Sequence, residues 1–113
     1  MSNHREGEHT IEMVGVVMDF HGGDEASIDE LAGVLAQYVV RVRGEPGCRT
    51  ADLWHSATTT GRFTVVEKWT SADHQRHHFD AESTIVFAQH VMALVDSPPR
   101  IDLLDPISAH DLT

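Results

Sequence analysis

The sequence predicts an α+β domain, a ferredoxin-like split βαβ unit with an antiparallel sheet, and three observations carry that expectation. Period-two runs and three-four apolar spacing follow one another in the order β-α-β-β-α-β, with the second helical pattern broken in the middle. The two central strand runs are separated by a segment of hairpin length. A chain of 113 residues is long enough for one core and too short for two.

The opening residues MSNHREGEHT are polar and aperiodic, and read as a flexible lead-in over 1–10 to a single domain over 11–108, with a tail over 109–113. IEMVGVVMDF places Val14, Val16, Val17 and Met18 on both faces, which predicts a strand covered on two sides. HGGDEA breaks it; HGGD lacks the further glycine spacing of a phosphate loop and reads as a turn. Ser27-Ile28-Asp29-Glu30 has the S-x-x-E form in which hydroxyl and carboxylate each satisfy an orphan N–H, so a helix is expected to start there. Ile28, Leu31, Val34, Leu35, Tyr38 and Val42 then recur at three and four. Arg41 and Arg43 lie at the negative end of the dipole, and Gly44 and Pro46 stop the helix.

CRTADLWHS and RFTVVEKWT read as two strands of an antiparallel hairpin around Thr58-Thr59-Thr60-Gly61. Period two puts Ala51, Leu53 and His55 on one face of the first, and Phe63, Val65, Glu67 and Trp69 on one face of the second. Thr70-Ser71-Ala72-Asp73 offers a cap for a second helix. A further helical pattern through Ile85, Val86, Phe87, Val91, Met92 and Val95 ends at Ser97-Pro98-Pro99. RIDLLDPI is a last short strand, with Pro106 at an edge or strand end.

Eighteen acidic against eight basic residues give a net charge of −10, which repels phosphate backbones and anionic lipid heads and argues against nucleic-acid and membrane partners. Lone Cys48 has no partner for an internal disulfide and reads as a small buried side chain. No apolar run has signal-peptide or transmembrane length, and a soluble cytoplasmic protein is expected.

The run DHQRHHFD sets His74, His77 and His78 on one side of a helix, where an i, i+4 pair of imidazoles can hold a transition metal. Neither C-x-x-C nor H-E-x-x-H supplies further ligands, so the expectation is a solvated polar face and no metal. Ala72, Gln75 and Phe79 offer the more apolar face toward a core. His4, His9, His21 and His110 read as surface residues.

RGEPGC after the first helix, followed by RFTVVEKWTSADHQRHH with its E-x-W strand and a histidine nine positions beyond the tryptophan, resembles the antibiotic biosynthesis monooxygenase domain family. The resemblance runs from about Ile11 to Ile107. It implies a dimeric α+β barrel, a homodimer formed through the sheet face, with a pocket between sheet and helices in each subunit. The family includes oxygenases that turn anthrones or quinols into quinones without a cofactor, and haem-degrading enzymes. Trp69 and His55 look like the tryptophan and histidine of the anthrone-oxidising branch. Where that branch has an asparagine four residues before the tryptophan this chain has Val65, and a tyrosine six residues after it is Gln75. The branch's long-helix arginine would fall near Gln89 and His90. Of the haem-degrading branch, the tryptophan is replaced by His78 and the axial histidine would fall at Ala88.

On this reading the chain is a monooxygenase acting with O2 and no cofactor on a small aromatic or phenolic, anthrone- or quinol-like, substrate. A non-redox binder, cyclase or isomerase of the same fold is the alternative, and haem degradation comes third. His55 is the expected base, since an imidazole with a pKa of about 6.5 takes protons near neutrality. A strand-end histidine also serves simply as a solvated or hydrogen-bonded residue, and both readings stand. The Trp69 indole N–H is the expected oxyanion donor. Glu67 shares the Trp69 face and is either a pocket base or half of an ion pair, because an inward carboxylate needs partners. His78 at the pocket mouth, with Val65, Leu53, Phe87 and His90, completes the expected substrate-binding set.

Overall fold

Seven elements follow in chain order: β1 (Val14–His21), α1 (Glu25–Val42), β2 (Cys48–His55), β3 (Arg62–Trp69), α2 (Ala72–Asp80), α3 (Glu82–Met92) and β4 (Arg100–Leu104). They come from a computed structural model that describes residues 12–107. The expected lead-in and tail, with His4, His9 and His110, lie outside the described residues. The strands form one antiparallel sheet in the order β2-β3-β1-β4, the ferredoxin-like split βαβ arrangement. Among the described residues no helix is long and apolar enough to cross a membrane.

Register explains which side chains meet. Val16 lies opposite Glu67, Met18 opposite Val65 and Phe20 opposite Phe63, and all six are buried on one face. Leu31, Leu35, Tyr38, Val39 and Val42 of α1 close over that face to make the core. The other face carries Val17, Thr64, Val66, Asp52, Trp54, Asp102 and Leu104, none of which is buried. Within one subunit β1 is therefore covered on one side only, where the sequence led us to expect two. All three helices lie against one face of the sheet, so Val17 stays only half-buried despite being apolar.

Helix α1 begins three residues before the expected start. Asp24 is its N-cap, and the carboxylate accepts the Ser27 N–H at 2.8 Å. That bond holds the Asp24 carboxyl below its ordinary pKa. Ser27 is the capped group and not the cap, because an anionic acceptor already stands three residues earlier. α2 starts where expected, with Ser71 accepting the His74 N–H. Its break at Ala81, which is extended, leaves the His78 carbonyl without a continuing helix; the Thr84 hydroxyl donates to that oxygen at 2.7 Å. β4 is shorter than expected, ending at Leu104 before Asp105-Pro106, since proline has no N–H for the ladder.

Candidate active site

Tyr38 sits on the core stripe of α1, and Glu67 points from β3 to the same side of the sheet. A buried phenol needs a partner and a buried carboxylate needs donors; each meets the other's demand. The Tyr38 hydroxyl donates to Glu67 Oε2 at 2.5 Å, and the Trp69 indole N–H donates to Glu67 Oε1 at 2.8 Å. Glu67 is only 1% exposed, yet both oxygens are bonded. His78, 3% exposed on α2, places Nε2 at 2.9 Å from the Tyr38 oxygen and Nδ1 at 2.7 Å from Glu45 Oε1. Its ring stacks on Trp69 with centroids 4.7 Å apart. Burial first, then the Glu67 charge, push the Tyr38 phenol far above its ordinary pKa, so it is held protonated. Every buried side-chain nitrogen and oxygen among the described residues has a hydrogen-bond partner.

A cavity of about 560 Å³ opens against this group. Its sheet wall is Val16, Met18 and Phe20 with Ile101 from β4, and its helical wall comes from Phe79, Ile85, Phe87, Val91 and Met92. Tyr38, Glu67, His78, Gln75, Thr84 and Gln89 bring the polar side chains. The volume falls within the range of about 300–1,000 Å³ that small-molecule sites occupy, and an apolar chamber with a few convergent polar groups is their usual form. Phe87 stacks on Tyr38 at 4.1 Å and fixes the ring that carries the phenol.

Of the residues expected from the sequence, the structure brings Glu67, His78 and Phe87 together at the cavity. Trp69 stands directly behind them, fully buried, with its N–H spent on Glu67; the oxyanion-donor role is corrected on that ground. His55 is elsewhere. It is exposed at the hairpin end of β2, where Nε2 accepts the Gly61 N–H at 3.1 Å and the ring packs on Phe63. It does not line the cavity, so the expected base is corrected: its face was read properly, but it sits at the far end of the hairpin on an edge strand. Val65 is wholly in the core and Leu53 packs against that core; neither reaches the cavity. His90 is exposed, paired with Glu30 at 2.9 Å, and lines a separate groove between α1 and α3.

In the histidine run His78 alone turns inward to the cavity, and the expected core face through Ala72, Gln75 and Phe79 is corrected, since only Gln75 of these is buried. The buried side of α2 is Gln75 and His78, whereas Phe79 is 48% exposed at the cavity rim. His74 and His77 are exposed. Among the described residues no three His, Cys, Asp or Glu side chains converge to hold a metal ion. Among the described residues the partners of Glu67 are two neutral hydrogen-bond donors, the Tyr38 hydroxyl and the Trp69 indole N–H. Tyr38, Glu45 and Thr84 were missed as site residues. A usable signal existed for Tyr38, since a hydroxyl on the buried stripe of α1 and a carboxylate on the buried face of β3 are complementary needs. Glu45, in the turn after α1, gave none.

Comparison with known proteins fits this geometry. The fold matches Rv0793 from Mycobacterium tuberculosis with a TM-score of 0.80 at 23% identity, covering 88% of this chain and 99% of that one. It matches SnoaB, a cofactor-independent oxygenase from Streptomyces nogalater, at 0.77 and 17% identity, covering 87% and 96%. PA3566 from Pseudomonas aeruginosa matches at 0.77 and 21% identity, covering 89% and 100%. At these identities the likeness establishes the fold. No curated protein matches the sequence. The family model described as antibiotic biosynthesis monooxygenase matches residues 13–89, from the start of β1 almost to the end of α3, and the chain belongs to that family.

Proposed function

We propose that the protein is a cytoplasmic monooxygenase that takes a small aromatic or phenolic, anthrone- or quinol-like, molecule into the apolar cavity and oxygenates it with O2, without flavin, haem or metal. The observation that carries this reading is the cavity of about 560 Å³, apolar on nearly every side, with Glu67, Tyr38 and His78 gathered as its polar end. Family membership and the fold shared with a cofactor-independent oxygenase support it.

Glu67 is the base in place of His55. It takes a proton from a CH2 group activated by flanking rings, and the resulting carbanion passes one electron to O2. Substrate radical and superoxide combine to a peroxide, to which Glu67 returns the proton. The second C–H proton then leaves as the O–O bond breaks, and the hydroxide departs as water. The balance is CH2 + O2 giving C=O + H2O. Trp69 is a positioning residue: its N–H orients the carboxylate and its ring supports His78. The same acid–base group would also serve a cyclase or isomerase, which is the second reading.

Oxygen uptake by the purified, metal-free protein with anthrone and hydroquinone panels tests the proposal. Uptake with at least one member is expected, Glu67→Gln lowering kcat by about 100-fold or more and His55→Ala leaving it unchanged. Substrate conversion without oxygen consumption selects the cyclase or isomerase; a His55→Ala loss overturns the assignment of the base.

The protein is further proposed to act as a homodimer through the open sheet face, where Trp54 is 63% exposed and Val17 and Val66 are only half-covered.

A further inference from the structure

The hydrogen-bonded chain Glu45, His78, Tyr38, Glu67, buried in all but its Glu45 end, has three links, and hydrogen-bond chemistry fixes how many protons it must hold. His78 Nδ1 faces a Glu45 carboxylate oxygen at 2.7 Å, which can only accept if ionised. The nearby Thr84 hydroxyl has its proton on the His78 carbonyl, so toward Nδ1, at 3.4 Å, it too can only accept. Nδ1 therefore carries hydrogen. Tyr38 has one hydroxyl proton and two partners, Glu67 Oε2 at 2.5 Å and His78 Nε2 at 2.9 Å. If that proton points to Glu67, Nε2 must also carry hydrogen and His78 is an imidazolium. If it points to His78, Glu67 must be a carboxylic acid. Either way three protons fill three links, one more than a neutral imidazole with two ionised carboxylates supplies.

We infer that Glu45, which lines no part of the cavity, is a positioning residue that keeps this third proton in the chain and so governs the exchange of Glu67 between carboxylate and acid at the cavity. The two forms interchange without electron transfer: Nε2–H goes to the Tyr38 oxygen as Tyr38 O–H goes to Glu67 Oε2. Glu45 suits the task because it is anionic, 22% exposed and balanced by Arg41 at 3.6 Å, so its own charge stays solvated while it stabilises an imidazolium in the interior. Other groups facing the chain are Thr84 from α3, the Trp69 indole from β3 and Cys48 at the start of β2. The role in turnover rests on the oxygenase reading; the proton count does not.

Nitrogen-15 and carbon-13 NMR of the full chain without substrate reads that count. Near neutral pH the expected spectra show both His78 ring nitrogens protonated with Glu67 ionised, or a protonated Glu67 with a neutral His78, or exchange between them. A neutral His78 beside an ionised Glu67 overturns the inference. Glu45→Gln should remove one proton from the chain, and Glu45→Asp should restore it; a Glu45→Gln spectrum like the parent's overturns it as well. With a substrate that supports oxygen uptake, Glu45→Gln is expected to lower kcat about tenfold at unchanged KM. A raised KM at unchanged kcat overturns the positioning role. Three protons in a protein that oxygenates nothing in the panels would sink the oxygenase reading and leave the proton count standing.

Discussion

Tyr38 joins Glu67 and His78 through a single hydroxyl, and its own proton is held fast by burial and by the Glu67 charge. A phenol in that condition relays protons and does not act as a free base. Cys48 feels the same surroundings. Burial first, then the charges of Glu67 and Glu45, push its thiol up to about 11 from an ordinary 9.0, while the S–H donates to the Thr50 carbonyl. The folded pKa is raised, so this contribution to stability is fully present below pH 9.0 and is lost as pH rises through about 11. At pH 8 the folded thiolate should be about 100-fold scarcer than in the unfolded chain. Iodoacetamide labelling of native against urea-unfolded protein should show that ratio, with the native rate climbing steeply toward alkaline pH; equal rates would remove the claim that its half-buried setting shifts the thiol. At this scale the sequence revealed Glu67 and His78, because period two and helical spacing put them on informative faces. It concealed Tyr38 and Glu45, whose partners lie 29 and 33 positions away. It misled at His55, where the right face of the sheet gave no information on distance from the cavity.

α2 carries His78 into the core, and its seating depends on one turn before β2. Gly47 has φ of +82°, and its carbonyl accepts the Thr70 N–H at 2.7 Å, fastening the end of β3 to that turn. A Cβ on Gly47 would lie 2.3 Å from His74 Cγ, so the exposed first histidine of the run is packed over a glycine. Gly47→Ala should therefore destabilise by about 1–2 kcal/mol for the left-handed backbone, with a further loss from the clash. Adding His74→Ala should recover only the clash part, read as denaturation midpoints in urea. Full recovery would contradict the backbone strain, and no recovery would contradict the contact. All six predicted segments formed, since each had a period of its own. Boundaries moved where a stronger competitor stood nearby, as Asp24 did for Ser27, or where pairing ended, as at Leu104. The break at Ala81 was foreseen as a break, but its Thr84 cap on the His78 carbonyl depends on a contact six residues long that no period encodes.

Three helices on one face leave the molecule half-sandwiched. Across the open face the register sets Asp52, Val66, Val17 and Asp102 in one row and Trp54, Thr64, Asp19 and Arg100 in the next. Thr64 donates to Asp19 at 2.7 Å, which settles a polar pair in the middle of that face and leaves Trp54 and Leu104 as its large apolar projections. An exposed indole beside half-covered valines is the kind of surface that a second copy would cover. Against association stands the net charge of −10 on each chain, a repulsion that salt screens. The proposed homodimer should therefore tighten as ionic strength rises, opposite to an interface held by ion pairs. Sedimentation equilibrium at micromolar concentration should give a dimer, and Trp54→Glu should give a monomer with an unchanged circular dichroism spectrum, because Trp54 packs in no part of the core. Since Trp54 lies across the sheet from the cavity, Trp54→Glu also separates the two proposals. A monomeric variant that still takes up oxygen places the chemistry within one subunit; a parent that sediments as a monomer removes the dimer.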